Sequence, residues 1–151
     1  MSRSIPRAPL ILGLAGLLPF LWGVATLQSD TLSAWTTATI GPRFVAPYVM
    51  LFYGAVILSF MSGVLWGFAT KLEGRQAALG YTLSVLPALW VFFTTGGGAT
   101  RAGVALMAGF LALLLLDWYF SRAGVTPPWW MHLRLILTAV VLACLFVTVT
   151  A

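Results

Sequence analysis

The acidic residues are the first place to look for chemistry, because general acid–base catalysis needs titratable groups within reach of one another. The chain contains three, Asp30, Glu73 and Asp117. Asp30 and Glu73 lie in separate polar segments, and the apolar run between them is long enough to cross a bilayer. We therefore expect these two carboxylates on opposite sides of a membrane, where they cannot form a catalytic pair.

Asp117 directly follows a leucine-rich run, residues 111–116. A carboxylate at such a position is costly unless it reaches water or a cation. Arg122 and Arg134 are the natural cations, and the sequence predicts an interfacial ion pair among these three residues. A proton relay is the less favoured hypothesis, because relays usually contain several ionisable groups within the membrane.

The remaining reactive side chains do not form a recognisable catalytic or metal-binding set. His132 and Cys144 are single residues of their types, too few for the usual metal or haem ligand sets. Ser59 and Ser62 have no histidine or lysine on a matching helix to act as a base. The sequence thus predicts no metal, no cofactor and no enzymatic activity.

The composition indicates a polytopic membrane protein. Of 151 residues, 61% are hydrophobic and 7% charged, whereas soluble domains average about 45–50% apolar and 25% charged residues. The net charge of +5 does not indicate nucleic-acid binding, because the basic residues are scattered singly near the ends of apolar runs. The lipid bilayer is therefore the first partner that the sequence predicts.

The apolar runs predict one all-α domain over residues 1–151, a bundle of five transmembrane helices. Their expected limits are about 9–27, 47–70, 77–95, 102–120 and 133–150. The first run resembles a signal peptide with a small-residue site at 23–25, but its length favours an uncleaved helix.

Two prolines should interrupt these spans. Pro19 is expected to kink the first span. Pro87 removes backbone hydrogen bonding in the third, which a neighbouring helix or a hydroxyl group should restore. The polar segment 28–46 is either a short helix on the membrane surface, capped by Ser29 or Asp30, or an irregular threonine-rich loop.

Basic residues predict the orientation of the bundle. Six of them fall on one predicted side and two, Arg43 and Arg101, on the other. The positive-inside rule then places the N-terminus in the cytoplasm and the C-terminus outside. The six are Arg3, Arg7, Lys71, Arg75, Arg122 and Arg134.

Small residues at four-residue spacing predict where the helices pack, since close backbone approach is what favours helix association in lipid. The second span carries Ala55, Ser59, Gly63 and Gly67, which would make it the hub of the bundle. Gly80 and Ser84 on the third span form a second small stripe.

The second span also carries Tyr53, Ser62 and Trp66, which could line a polar pocket at the bundle centre. The same residues would serve equally well as polar contacts between helices. The sequence leaves both interpretations open and favours the second.

The segment YGAVILSFMSGVLWG at 53–67 resembles the signature of the transmembrane protein 69 family. Supporting residues are LGLAGLLPF at 12–20 and, near the end, Asp117, Gly124, Pro127, Trp129, Leu133, Arg134, Leu137 and Thr138. Family members often carry a basic residue or histidine near position 65. This chain has Leu65 there, and the loss of that polar group weakens any shared ligand role. The resemblance implies a small multi-span protein of bacterial inner membranes or mitochondria, and no established reaction.

These observations favour a non-enzymatic accessory or assembly partner of a larger membrane complex, acting by helix packing in a bacterial inner membrane. Its expected partner is another integral membrane protein or a second copy of the chain. The alternative hypothesis is a small-solute carrier or channel formed by a homo-oligomer, although five spans do not divide into the internal repeats common among transporters.

Overall fold

The structure is a computed structural model that describes residues 4–151. These residues form helices and no β-strand. They contain five spans long and apolar enough to cross a membrane, which confirms the predicted all-α membrane architecture. The helices are α1 (Arg7–Ala15), α2 (Leu18–Gln28), α3 (Asp30–Thr39), α4 (Tyr48–Ala69), α5 (Gly74–Thr94), α6 (Ala99–Arg122) and α7 (Trp130–Thr150), with a 3-10 helix at Pro42–Phe44.

The first span is interrupted where the sequence predicted a kink. α1 ends at Ala15 and α2 begins at Leu18, with Pro19 in its first turn. Proline has no amide hydrogen, so the carbonyl group four residues earlier, that of Ala15, loses its helical partner. At the break, the amide of Leu17 donates to the carbonyl of Leu14 at 3.0 Å, a tighter turn than an α-helix makes.

The segment after the first span contains a helix, α3, which decides between the two alternatives left by the sequence. The Ser29 hydroxyl accepts a hydrogen bond from the amide of Leu32 at 3.2 Å and caps its start. Gly41, with φ of 113°, lies in the left-handed region that favours glycine and turns the chain after the helix. The placement of α3 on a membrane surface stays a prediction.

α4 packs against α2, α5 and α6, and of the predicted stripe only Ala55 lies against the core. Its buried face carries mainly large side chains, including Leu58, Met61 and Leu65. Ser59, Gly63 and Gly67 are exposed. A Cβ atom added at Gly63 or Gly67 would meet no other described residue within 4 Å. The prediction that these glycines join helices within the bundle is therefore wrong.

α5 does use its small residues for contact. Gly80 is buried against α4, and a Cβ atom added there would lie 3.2 Å from the Cβ of Ala69. Ser84 is also buried. The predicted repair at Pro87 is confirmed, because the amide of Ala88 donates to the Ser62 hydroxyl of α4 at 2.9 Å.

A hydrogen bond joins two loops at one end of the bundle. Lys71 Nζ, which follows α4, donates to the carbonyl of Val125, which follows α6, at 3.2 Å. The segments 71–75 and 121–134 therefore meet at this end. The count of basic residues on the two sides of the membrane assumed that they do. Arg3, one of the six basic residues, lies outside the described residues, and the orientation itself stays a prediction.

Candidate functional site

The principal polar feature of the bundle interior is an ion pair between α6 and α7. Arg134 Nε donates to Asp117 Oδ2 at 2.6 Å, and Trp130 Nε1 donates to Asp117 Oδ1 at 2.8 Å. Asp117 is 0% exposed and Arg134 5% exposed. Each carboxylate oxygen therefore has a donor, which is the condition under which a buried charge is tolerated.

α7 positions both donors by its helical repeat. Trp130, Arg134 and Thr138 follow one another at four-residue intervals, which places their side chains on one face of the helix. This face packs against α6, where the fully buried Asp117 and Phe120 lie. The ring of Trp130 also meets Phe68 of α4 edge to face, with centroids 5.1 Å apart, so its N–H is held in place.

The predicted ion pair needs one correction. Asp117 and Arg134 pair as expected, buried within the protein, and their level at the membrane interface stays a prediction. Arg122 is not part of it: it is exposed, and its guanidinium carbon lies 5.5 Å from the ring centroid of Trp118. Five helical positions place Arg122 about 140° around α6 from Asp117, so it faces away.

Trp130 was missed as a member of the site. The adjacent Trp129 and Trp130 indicated only an aromatic anchor at the membrane interface. The signal that could have found it is the interval of four residues to Arg134, combined with the need of a buried carboxylate for more than one donor.

A cavity of about 400 Å³ lies beside the ion pair. The interrupted first span forms one wall, α4 a second and α7 a third, with Phe110 of α6 between them. Its lining is mainly apolar, and it includes Gly13, Gly16, Tyr53, Arg134 and Thr138.

Two cavity-lining side chains have unsatisfied polar atoms. Within residues 4–151, the buried Nη2 of Arg134 and the buried Oγ1 of Thr138 have no hydrogen-bond partner. Buried polar atoms are satisfied in the great majority of native structures. Both side chains line the same wall of the same cavity, although the two atoms themselves have almost no accessible surface.

The comparisons with known proteins agree with the resemblance seen at residues 53–67. A family model described as a protein of unknown function, DUF3429, matches residues 5–150. The chain belongs to the DUF3429 family. It is 33% identical over 142 residues to transmembrane protein 69 of Xenopus tropicalis, covering 91% of this chain and 52% of the frog protein. It thus spans about half the length of that relative. No solved structure matches the chain.

The polar pocket predicted for this DUF3429 protein does not form from the three residues named. Tyr53 lines the cavity, but Ser62 is bonded to the backbone of α5 instead. Trp66 is half exposed and packs on Tyr81, with ring centroids 4.7 Å apart. The helical spacing of these residues spreads them around α4, so only Tyr53 faces the first span.

The other candidates lie apart from this site. His132 is exposed at the start of α7, and Cys144 is buried in its second half. Among residues 4–151, no three His, Cys, Asp or Glu side chains are grouped closely enough to hold a metal ion. A wider depression of about 790 Å³ at the opposite end, around Arg101, includes neither of the unpaired atoms.

Proposed function

We propose that this multi-pass membrane protein is a non-enzymatic accessory protein that binds a transmembrane helix of another membrane protein. The observation that carries the proposal is the small-residue face of α4, defined as Ser59, Gly63 and Gly67. These residues are exposed, and within residues 4–151 an added Cβ at either glycine would have no neighbour within 4 Å beyond its own helix backbone. The face is free for contact with a helix outside the protein.

The physical basis is the way in which helices associate in lipid. Apolar area alone does not favour association there, so binding depends on close backbone approach and on interhelical polar contacts. Two exposed glycines one turn apart allow such an approach, and the Ser59 hydroxyl lies one turn before them. The face extends for about 12 Å along the helix. The large side chains on the opposite face of α4 already pack the bundle, so this one adds nothing to the monomer's own stability.

The test is crosslinking from the small-residue face itself. A cysteine placed at Ser59 in a Cys144→Ala background would carry a short photoreactive crosslinker, and the protein would be purified in mild detergent. We expect one stoichiometric membrane protein to be crosslinked through a transmembrane segment. Gly63→Leu should abolish this crosslink, whereas Ala139→Leu, a similar enlargement on the exposed face of α7, should preserve it.

Two results would argue against the accessory role. If Gly63→Leu and Ala139→Leu gave the same crosslinks, the small-residue face would not be the binding surface. If the crosslinked species were a second copy of this chain, self-association would replace the partner protein.

The alternative function is a small-solute carrier or channel built as a homo-oligomer. The observation in its favour is the interrupted first span beside a cavity, because broken helices surround the substrate sites of many transporters. The mass of the purified protein in detergent and solute flux into proteoliposomes test it. A monomeric protein without flux would exclude this alternative.

A bacterial inner membrane is the proposed location. It rests on the resemblance and on the basic residues gathered at one end of the bundle, which suit a cytoplasmic face with anionic lipids. Fractionation of inner and outer membranes from a bacterial host of the native gene tests it, and recovery in the outer membrane would overturn it.

A further inference from the structure

We propose that the cavity between the first span, α4 and α7 binds an uncharged lipophilic molecule that carries a carbonyl group. This binding site does not depend on the small-residue face of α4, which lies elsewhere on that helix. Two classes of membrane molecule carry such a carbonyl group: quinones, in the ring, and glycerolipids, in the ester bond.

The polar end of the site is defined by α7. Arg134 uses its Nε to bind Asp117, which leaves Nη2 as a buried N–H donor without a partner. Thr138, one turn further along, has an equally unsatisfied hydroxyl. An acceptor oxygen from a ligand would satisfy these atoms after a small shift of the two side chains, which now have almost no accessible polar surface. Leaving such donors unmatched is unfavourable in an apolar interior, which favours that shift. The site therefore calls for an acceptor rather than for a purely apolar molecule.

The charge balance favours a neutral ligand over an anionic one. Among residues 4–151, Arg134 is the only cationic residue that lines the cavity, and Asp117 already neutralises it at 2.6 Å. A carboxylate or phosphate would bring an uncompensated negative charge into the bundle interior, where burial of an unpaired charge is costly. A carbonyl oxygen accepts the same hydrogen bonds without that cost.

The rest of the cavity suits an apolar body that arrives from the lipid. Leu12 of α1 and Phe60 of α4 both line the cavity, yet they are 72% and 63% exposed. The cavity is thus bordered by side chains that face the surrounding bilayer. Its volume of about 400 Å³ lies within the range of small-molecule sites, about 300–1,000 Å³.

The glycines of the first span shape the wall opposite Arg134. A Cβ atom added at Gly13 would lie 3.1 Å from Leu137 Cδ1, so glycine permits close approach of α1 to α7. A Cβ atom added at Gly16 would lie 3.6 Å from the Tyr53 hydroxyl. Gly16 also adjoins the break in the span, so the interruption and the cavity coincide.

Native mass spectrometry of the full chain, released from detergent, tests the site with three added probes. A decyl-substituted benzoquinone and monooleoylglycerol are the two neutral carbonyl compounds, and oleate is the carboxylate. We expect saturable one-to-one binding of a neutral probe, and the tighter of the two would identify the ligand class. Oleate should bind more weakly than that probe.

Matched variants locate the binding. Leu137→Phe should fill the cavity and weaken binding about tenfold, whereas Leu135→Phe, on the exposed side of the same helix, should leave it unchanged. Thr138→Val keeps the side-chain shape but removes the hydroxyl, and we expect binding about two- to tenfold weaker. Thermal unfolding midpoints of each variant would show whether the fold is retained, and Thr138→Val decides if Leu137→Phe does not fold.

Three results would overturn the proposal. The first is the absence of saturable binding for both neutral probes. The second is an equal effect of Leu135→Phe and Leu137→Phe, which would indicate binding to the outer surface. The third is tighter binding of oleate than of either neutral probe, which would assign the site to an anion.

Discussion

The Ser62 hydroxyl of α4 lies 2.9 Å from the backbone nitrogen of Ala88 on α5 and accepts its hydrogen bond. This contact compensates for Pro87, the residue just before Ala88, in a region where no water is available to do so. A single side chain thus joins two spans and provides an acceptor for the backbone amide that follows the proline.

Ser62→Ala should lower the free energy of unfolding by about 0.5–1.5 kcal/mol, because it removes the hydrogen bond to the part-buried amide of Ala88. Ser59→Ala is the matched control, since Ser59 lies on the same helix but is exposed. Unfolding by sodium dodecyl sulfate in mixed micelles, followed by circular dichroism, measures both. Equal stability of the two variants would mean that Pro87 needs no compensation from α4.

The location of the spans and of the helix breaks was predictable because its causes are local. A run of about 20 apolar residues is enough to indicate a span, and the effects of Pro19 and Pro87 follow from the missing amide hydrogen. Which side of each helix is buried in the bundle was not predictable in the same way. In lipid, both sides of a helix are apolar, so hydropathy does not distinguish the buried Leu58 from the exposed Phe60.

The ion pair was predictable in part for a related reason. A carboxylate after a leucine run needs a cation, and the antiparallel neighbour α7 provides Arg134. The sequence also favoured Arg122, because the predicted span ended at residue 120 and left Arg122 in a loop. The helix α6 continues to Arg122 and turns it away from Asp117. The cavity had no sequence signal, since it lies between the first span, α4 and α7 and depends on how these three pack together.

Asp117→Asn should destabilise the protein by about 3–5 kcal/mol, because it leaves the Arg134 cation buried without a counter-charge. The exposed Glu73 provides the control, and Glu73→Gln should change the stability by less than about 0.5 kcal/mol. Replacing both partners, as Asp117→Leu with Arg134→Met, should recover much of the loss. A double variant as unstable as Asp117→Asn would show that the charges are needed beyond their mutual neutralisation.

Trp130→Phe should cost about 1.5–3 kcal/mol, since it removes an N–H donor to a charged acceptor while retaining an aromatic ring. Trp129→Phe is the natural comparison: Trp129 contacts the ring of Trp130, with centroids 6.2 Å apart, and makes no contact with Asp117. The same denaturation experiment distinguishes them. If both variants were equally stable, the indole hydrogen bond to Asp117 would contribute nothing.

Gly80→Leu and Gly63→Leu should have opposite outcomes for folding, although both enlarge a glycine within a span. An added side chain at Gly80 would meet Leu72 Cδ1 at 2.9 Å as well as Ala69, so overpacking should cost at least about 1–3 kcal/mol. At Gly63 there is open space, and the folded monomer should be retained. Thermal unfolding in detergent measures the difference, and a strong loss at Gly63 would restore the stripe as an internal helix contact.

The orientation of the bundle can be tested from its two polar ends. Cys144→Ala provides a background without cysteine, and single cysteines at Arg75 and Thr100 mark the exposed first turns of α5 and α6. A membrane-impermeant maleimide applied to intact cells should label position 100 and spare position 75, because the positive-inside rule places the more basic end in the cytoplasm. After the membranes are opened, both positions should react. Labelling of position 75 alone in intact cells would invert the topology and place Arg7, Lys71 and Arg122 outside.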